Sequence, residues 1–302
     1  MMMQAAGRML LAALQDRALA EGGFSDRPGG RYRPDATAWA IIVLSAHEPG
    51  HNLLGPARSR LARDQADDGR ISIAPDHPEA FWPTPLAVLA WQDSTAQHDQ
   101  HARAVGFLLR TTGRHWKKRP NDPIAHDSAL KGWPWIAETH SWVEPTALSV
   151  LALRGAGYDD HARVQEAVHL LIDRQLPHGG WNYGNTVVFG QELRPFPDST
   201  GAALHALAGL VPREQVQRSL EYLAIRIGQA RTPIALGWGL LGLGSWGAFP
   251  AEARSWVAEC LDRQERYGPY DTASLCLLLL PLLSPAGLAR VGRNSLVDNA
   301  PH

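Results

Sequence analysis

Four carboxylates stand just before the starts of apolar helical stretches, each a residue or two ahead of a threonine: Asp35-Ala36-Thr37, Glu144-Pro145-Thr146, Asp198-Ser199-Thr200 and Asp271-Thr272. A carboxyl group in such a place can act as a general acid if it keeps its proton near neutral pH. That requires burial, or a second carboxylate close by, to raise its pKa from about 4. A helix N-terminus works in the opposite direction, because its unpaired N–H groups favour the anion. The intervening segments carry aromatic side chains: Trp82, Trp133, Trp135, Trp142, Trp181 and Tyr183, with His77 and His140. Aromatic faces attract cations, by about 0.5–2 kcal/mol each. An acid beside such faces suits the protonation of an apolar, electron-rich substrate and the shielding of the resulting carbocation. Aromatic faces also stack on sugars, and paired carboxylates cleave glycosides. Asp35 and Asp198 are the candidate acids. Trp82, Trp133, Trp135, His140, Trp142, Glu144, Trp181, Tyr183 and Asp271 are the candidate substrate contacts. Beside this stands a purely structural reading, in which the acids satisfy loop amides and the Gly-Trp loops tie repeats together.

What must position these residues is a repeat. A helix end with an apolar residue four before a glutamine is followed by a Gly-plus-aromatic loop, then by an apolar helix that begins at a threonine. Leu171-x3-Gln175 precedes Gly179 and Trp181, Leu61-x3-Gln65 precedes Gly69 and Ile71, and Leu11-x3-Gln15 precedes Gly22 and Phe24. Gln264 precedes Gly268 and Tyr270, with Cys260 in the apolar slot. Phe107-x3-Thr111 is a degenerate copy with a long loop before Gly132-Trp133-Pro134-Trp135. Thr84 and Thr232 directly precede prolines. Proline fits the first helical position, so this spacing predicts the threonines as N-caps and places the preceding carboxylates outside the helices.

The helices after the threonines are apolar nearly all round, which predicts burial on every side. Those before the loops are amphipathic, as in Val164, Ala167, Leu171 and Val216, Leu220, Leu223, Ile227. Outer and inner helices therefore alternate. The pairs are outer 4–17 with inner 37–47, 53–65 with 84–92, 98–111 with 146–156, 160–175 with 200–210, 212–228 with 232–245, and 251–264 with 272–283. Six hairpins of this kind close naturally into an all-α ring, an α/α toroid with an α6/α6 barrel. The repeat runs without a break in composition, so residues 1–289 read as one domain and 290–302 as a disordered tail.

Composition narrows the function. The chain has 302 residues, 45% of them hydrophobic, and a net charge of −1. No run of like charge favours nucleic acid or an anionic membrane surface. The basic cluster Arg114–Arg119 reads as a solvated face, with a diphosphate contact as the alternative. Two cysteines, Cys260 and Cys276, lie in apolar helices and fit packed thiols of a reducing compartment. His205 with Cys276 reads as a core histidine and a packed thiol rather than a metal pair. No cofactor or metal is implied. The apolar run Met9–Leu14 is too short for a secretory signal, and Ala273–Leu283 falls well below the roughly 18 residues of a membrane span. These features together predict a soluble, cytoplasmic protein.

The stretch Leu171-x3-Gln175-x3-Gly179-x-Trp181 resembles the QW motif of squalene–hopene and oxidosqualene cyclases. With the threonine-started inner helices, the chain resembles the prenyltransferase/squalene-cyclase repeat superfamily as a single-barrel member. The basic residue and glycine that open the family's full motif are missing before Leu171. The resemblance implies an α6/α6 barrel and an isomerase-like, acid-initiated cyclisation of an isoprenoid or similar apolar substrate in the toroid cavity. Asp35-Ala36-Thr37-Ala38 and Asp198-Ser199-Thr200 keep the aspartate two before the threonine, where the cyclases place their proton donor. The flanking acids of the cyclase motif are replaced by Pro34 and Ala36, and by Pro197 and Ser199. The zinc-binding Asp-x-Cys pair of protein prenyltransferases does not occur. Because cyclases pair two barrels, a non-catalytic module that works with a protein partner is an alternative. A carbohydrate-active (α/α)6 enzyme is another.

Overall fold

The computed structural model describes residues 2–119 and 122–288; the predicted tail, 290–302, lies outside them. The helices are α1 (Met2–Gln15), α2 (Pro34–His47), α3 (Leu54–Arg63), α4 (Pro83–Trp91), α5 (His98–Arg110), α6 (Val143–Gly155) and α7 (Ala162–Asp173). They continue with α8 (Pro197–Leu207), α9 (Arg213–Ile227), α10 (Pro233–Ser245), α11 (Ala253–Asp262), the short α12 (Gln264–Tyr267) and α13 (Thr272–Leu283). A small hairpin, β1 (Val187–Val188) with β2 (Gln191–Glu192), precedes α8.

The apolar helices form the inner ring. Each of α2, α4, α6, α8, α10 and α13 packs on the next, and α13 packs on α2, so the ring closes. The amphipathic helices α1, α3, α5, α7, α9 and α11 lie outside. The fold is an all-α toroid of six outer/inner pairs. Inner helices such as α4 are buried along their whole length, which is why their sequences show no polar stripe. Glycines bring three of them unusually close: a Cβ on Gly201 would collide with the Trp238 carbonyl, and one on Gly237 would lie 2.5 Å from that of Leu277.

Thr232 caps α10 as the sequence predicts, but Thr37, Thr84, Thr146 and Thr200 do not cap their helices, contrary to expectation. Helices α2, α4, α6 and α8 begin one to three residues earlier, three of them on proline, and their threonines are fully buried in the first turn. First-turn N–H groups lack an intrahelical acceptor, so Pro85 fits as the third residue of α4 as well as a first residue would. Each hydroxyl instead accepts from the aromatic or apolar residue of the preceding loop. Thr37 Oγ1 takes the Phe24 N–H at 2.8 Å, Thr84 that of Ile71 at 2.9 Å, Thr146 that of Trp133 at 3.0 Å and Thr200 that of Trp181 at 2.9 Å. These loop amides are buried and need a partner. Only Thr232 and Asp271 are side-chain N-caps among these positions, accepting from Ala235 and Ser274. Thr272 donates across the closing seam to the carbonyls of Ser25 and Asp26, at 2.7 and 3.1 Å.

The glutamines tie one hairpin to the next. Gln65 Nε2 donates to the Gln100 carbonyl in α5, and Gln175 Nε2 to the Ser219 hydroxyl in α9. The indole N–H groups of Trp133 and Trp181 donate to the carbonyls of Leu108 and Leu171 at the ends of the preceding outer helices. Two indoles meet between the inner helices. Trp39 on α2 and Trp238 on α10 meet edge to face at 5.9 Å, although their helices are separated by α13. Helices α1 and α11 cover the outside of α13, so the two rings meet inside. At the other end His205 is locked between the Ser245 hydroxyl and the Leu288 N–H.

Candidate active site

The shift of the helix starts moves the acids. Asp35, Glu144 and Asp198 are each the second residue of an inner helix, and Asp271 is the N-cap of α13. Every one of these helices starts on the loop-bearing rim, so the four share one end of the ring. The order of the ring divides them. α6 and α8 are neighbours, as are α13 and α2, while α4 and α10 stand between the two pairs. Glu144 and Asp198 thus form one couple, and Asp35 and Asp271 lie on the far side.

The two sides differ in chemistry. Both oxygens of Asp35 are taken by the Arg33 guanidinium, at 2.9 and 3.0 Å. Asp271 is exposed and holds the Ser274 amide. Glu144 and Asp198 have no basic partner among the described residues. Burial, and then the nearby Asp198, push the Glu144 carboxyl up to about 7. Burial also raises Asp198, while the backbone amides of Asp198 and Ser199 draw it back down. The Tyr183 phenol is raised by partial desolvation and then by Asp198 and Glu144, which places all three groups within electrostatic reach. Amides at the start of α8 favour the anion on Asp198, so Glu144 is the member that keeps a proton. A pair of carboxyl groups with divided protonation is the arrangement acid–base catalysis uses.

The loops frame this couple. The Val143 N–H donates to the Tyr183 carbonyl at 3.0 Å, fixing the 181–184 loop against the start of α6. The Tyr183 ring lies 5.1 Å from that of Phe196, which directly precedes α8. Trp142 is the residue before α6, and its N–H donates to the Trp133 carbonyl. One helix over, Trp82 and Trp135 meet edge to face at 5.7 Å. Trp133 and Trp181 are fully buried with both N–H groups in use, so they hold the rim together and offer no face to a ligand. His140 lies 5.1 Å from the Trp116 ring. His77 is exposed beside Asp76 and Glu79.

Next to the couple is a pocket of about 270 Å3 that the sequence did not reveal. Its walls come from the long loop before α6, from the end of α7 and from the segment after Tyr183, and include Arg114, Trp116, His126, His140, Trp142 and Arg174. The long loop is held by backbone bonds from Arg114 to Thr139, from Trp116 to Ser128 and from Ala125 to Val187 on β1. Arg174 lies in the QW stretch itself, where no sequence signal separated it from an outer-helix residue.

No protein-family model matches the chain, and no curated protein does. Solved structures do match. The type II terpene cyclase MstE from Scytonema, without ligand, aligns over 96% of this chain and 98% of its own, at 14% identity and a TM-score of 0.60. The chain has the toroid fold of that enzyme. An inactive variant of an alpha-1,6-mannanase from Salegentibacter, in complex with alpha-1,6-mannotriose, matches over 96% and 99% at 12% identity and a TM-score of 0.60. A protein from Actinoplanes matches over 94% and 99% at 16% identity and a TM-score of 0.60. Another MstE structure holds geranylgeranyl dihydroxybenzoate as substrate. At these identities the likeness establishes the toroid alone.

Proposed function

We propose that the protein is an acid–base enzyme that protonates an isoprenoid-like, apolar substrate at the loop-bearing rim. Glu144 is the acid, and Asp198 is its charged partner. Trp82, Trp135, Trp142 and Tyr183 supply the faces that stabilise the cation. The observation that carries this reading is the Glu144 carboxyl, pushed up to about 7 beside a second carboxyl group. In the step proposed, the Glu144 O–H bond breaks and its proton forms a C–H bond with an alkene carbon. The alkene π electrons make that bond and leave a carbocation, which a second double bond captures; loss of a proton to Asp198 ends the reaction. Asp35, which the cyclase-like spacing singled out, is engaged by Arg33 and takes no part. The likeness to a cyclase that binds a geranylgeranyl substrate supports the substrate class. The two unpaired, buried cysteines support a cytoplasmic setting.

A second reading rests on Trp39 and Trp238. The two rings meet edge to face between α2 and α10, and the acids stand at the rim, a position that suits a sugar chain laid across it. One experiment separates the two. Wild type, Glu144→Gln and Asp198→Asn are assayed with linear prenyl substrates and with alpha-linked mannose oligosaccharides. The terpenoid reading expects turnover of the prenyl compounds, abolished by Glu144→Gln. Turnover of the oligosaccharides alone selects the second reading. Inactivity of the wild type on both, with a stable complex formed with another protein, selects the non-catalytic module.

A further inference from the structure

We propose that the pocket beside the acid couple is a binding site for a small, flat organic carboxylate. The proposal does not depend on the reaction assigned to Glu144. The pocket is built rather than incidental. Its loop walls are joined by backbone hydrogen bonds, and a Cβ on Gly113 would lie 2.5 Å from the Ser141 N and Oγ, so the loop ends approach too closely for any other residue. At about 270 Å3 it lies at the small end of ligand sites and holds one compact molecule rather than a chain.

Its polar groups point to an anion. His126 lines the pocket and is only 7% exposed, and its Nδ1 is shut off from solvent with no hydrogen-bond partner. A buried imidazole nitrogen without a partner is costly, and a small turn of the ring towards the pocket lets a ligand supply one. The Arg114 side chain has no hydrogen-bond or ion-pair partner among the described residues, although its backbone is fixed.

The charge balance selects a monoanion. Arg174 is engaged by the Asp173 carboxylate and by the Asp127 carbonyl, so much of its charge is already met. Burial, Arg174, Lys118 and His140 press His126 down to about 4, so near pH 7 it is a neutral N–H donor. Lys118 is turned to the Ala125 carbonyl. What remains is about one unmet positive charge on Arg114, enough for a carboxylate and short of what a diphosphate needs. The indoles of Trp116 and Trp142, with Ile124 and Leu130, supply flat apolar walls for a ring.

The test uses 2-naphthoate as the probe, followed by calorimetry and by quenching of tryptophan fluorescence in the full chain. Saturable 1:1 binding is expected. The uncharged methyl ester should bind at least tenfold more weakly, because it cannot engage Arg114. Arg114→Gln, at an exposed position with no internal partner, should weaken naphthoate by tenfold or more while leaving the melting curve unchanged. His126→Phe should weaken it, and His126→Asn, which keeps a neutral donor, should restore part of the loss. Absence of binding by the wild type overturns the proposal, as do equal affinities for acid and ester or unchanged affinity in Arg114→Gln. Diphosphate displacing naphthoate at lower concentration overturns the choice of a monoanion.

Discussion

Replacing Glu144 by glutamine should make the protein more stable at neutral and alkaline pH while abolishing its activity. The ordinary value for this carboxyl is 4.5, and the folded protein raises it to about 7. A raised carboxyl contributes stability that is fully present below its unfolded pKa. That contribution fades as pH rises towards the folded pKa, because the unfolded chain gives up its proton more readily. The gap between 4.5 and about 7, at about 1.4 kcal/mol per pH unit, amounts to about 3 kcal/mol. Glutamine mimics the protonated form and never incurs this loss. Wild type and Glu144→Gln should therefore have matching denaturation curves near pH 4. They should separate between pH 4.5 and 7, and differ by about 3 kcal/mol above pH 8. For a chain of this length the melting points should then differ by roughly 5 °C or more. Urea denaturation at half-unit pH steps gives the measurement. Curves that stay parallel from pH 4 to 9 would refute the protonated Glu144, and the acid role with it.

Other perturbations probe the rest. Asp198→Asn should shift the Glu144 titration downward, since Asp198 is the second cause of its elevation, and a carboxyl-selective NMR titration would show it. Enzymatic turnover should decline as pH rises through about 7, while Asp35→Asn leaves it largely intact because Asp35 is engaged by Arg33. Thr200→Val keeps the side-chain shape but strands the buried Trp181 amide, and should cost about 1–3 kcal/mol in urea denaturation; no loss would argue against the threonine staple. Gly201→Ala should cost more than 3 kcal/mol or prevent folding, since its methyl group meets the backbone of α10 head on, whereas Gly247→Ala meets open space and is strained only by its positive φ of 71°.

The repeat made much of this legible. The helices α7 and α8 are visible in the line from Val164 to Leu207 because an outer helix must alternate polar and apolar faces and an inner one cannot. The glutamine and tryptophan of residues 171–181 were readable as ties between hairpins, and Gln175 and Trp181 act as such. The threonines misled because a threonine before proline has the same local sequence whether it caps a helix or lies inside its first turn. Its hydroxyl chose the loop amide 13 or 19 residues behind it, and burial made that choice. Arg33 and Asp35 are near neighbours whose pairing depends on the extended backbone at Arg33, a detail no spacing rule carries.

The amino-acid sequence by itself determined the ring: its helical content, its alternation of buried and surface helices, and the number of hairpins. Those properties follow from local periodicity, which records how many sides of each segment are hidden from water. Only the tertiary structure decided which acids meet. Glu144 and Asp198 are 54 positions apart and were two of four similar candidates. They became a couple because α6 packs against α8, and one of them holds its proton because that packing removes water from both. The same holds for His126, Arg114 and Arg174. Their charges and unpaired nitrogen acquire meaning only where folding brings three distant segments around one hollow, since electrostatic energy depends on distance through space and on the water excluded between groups.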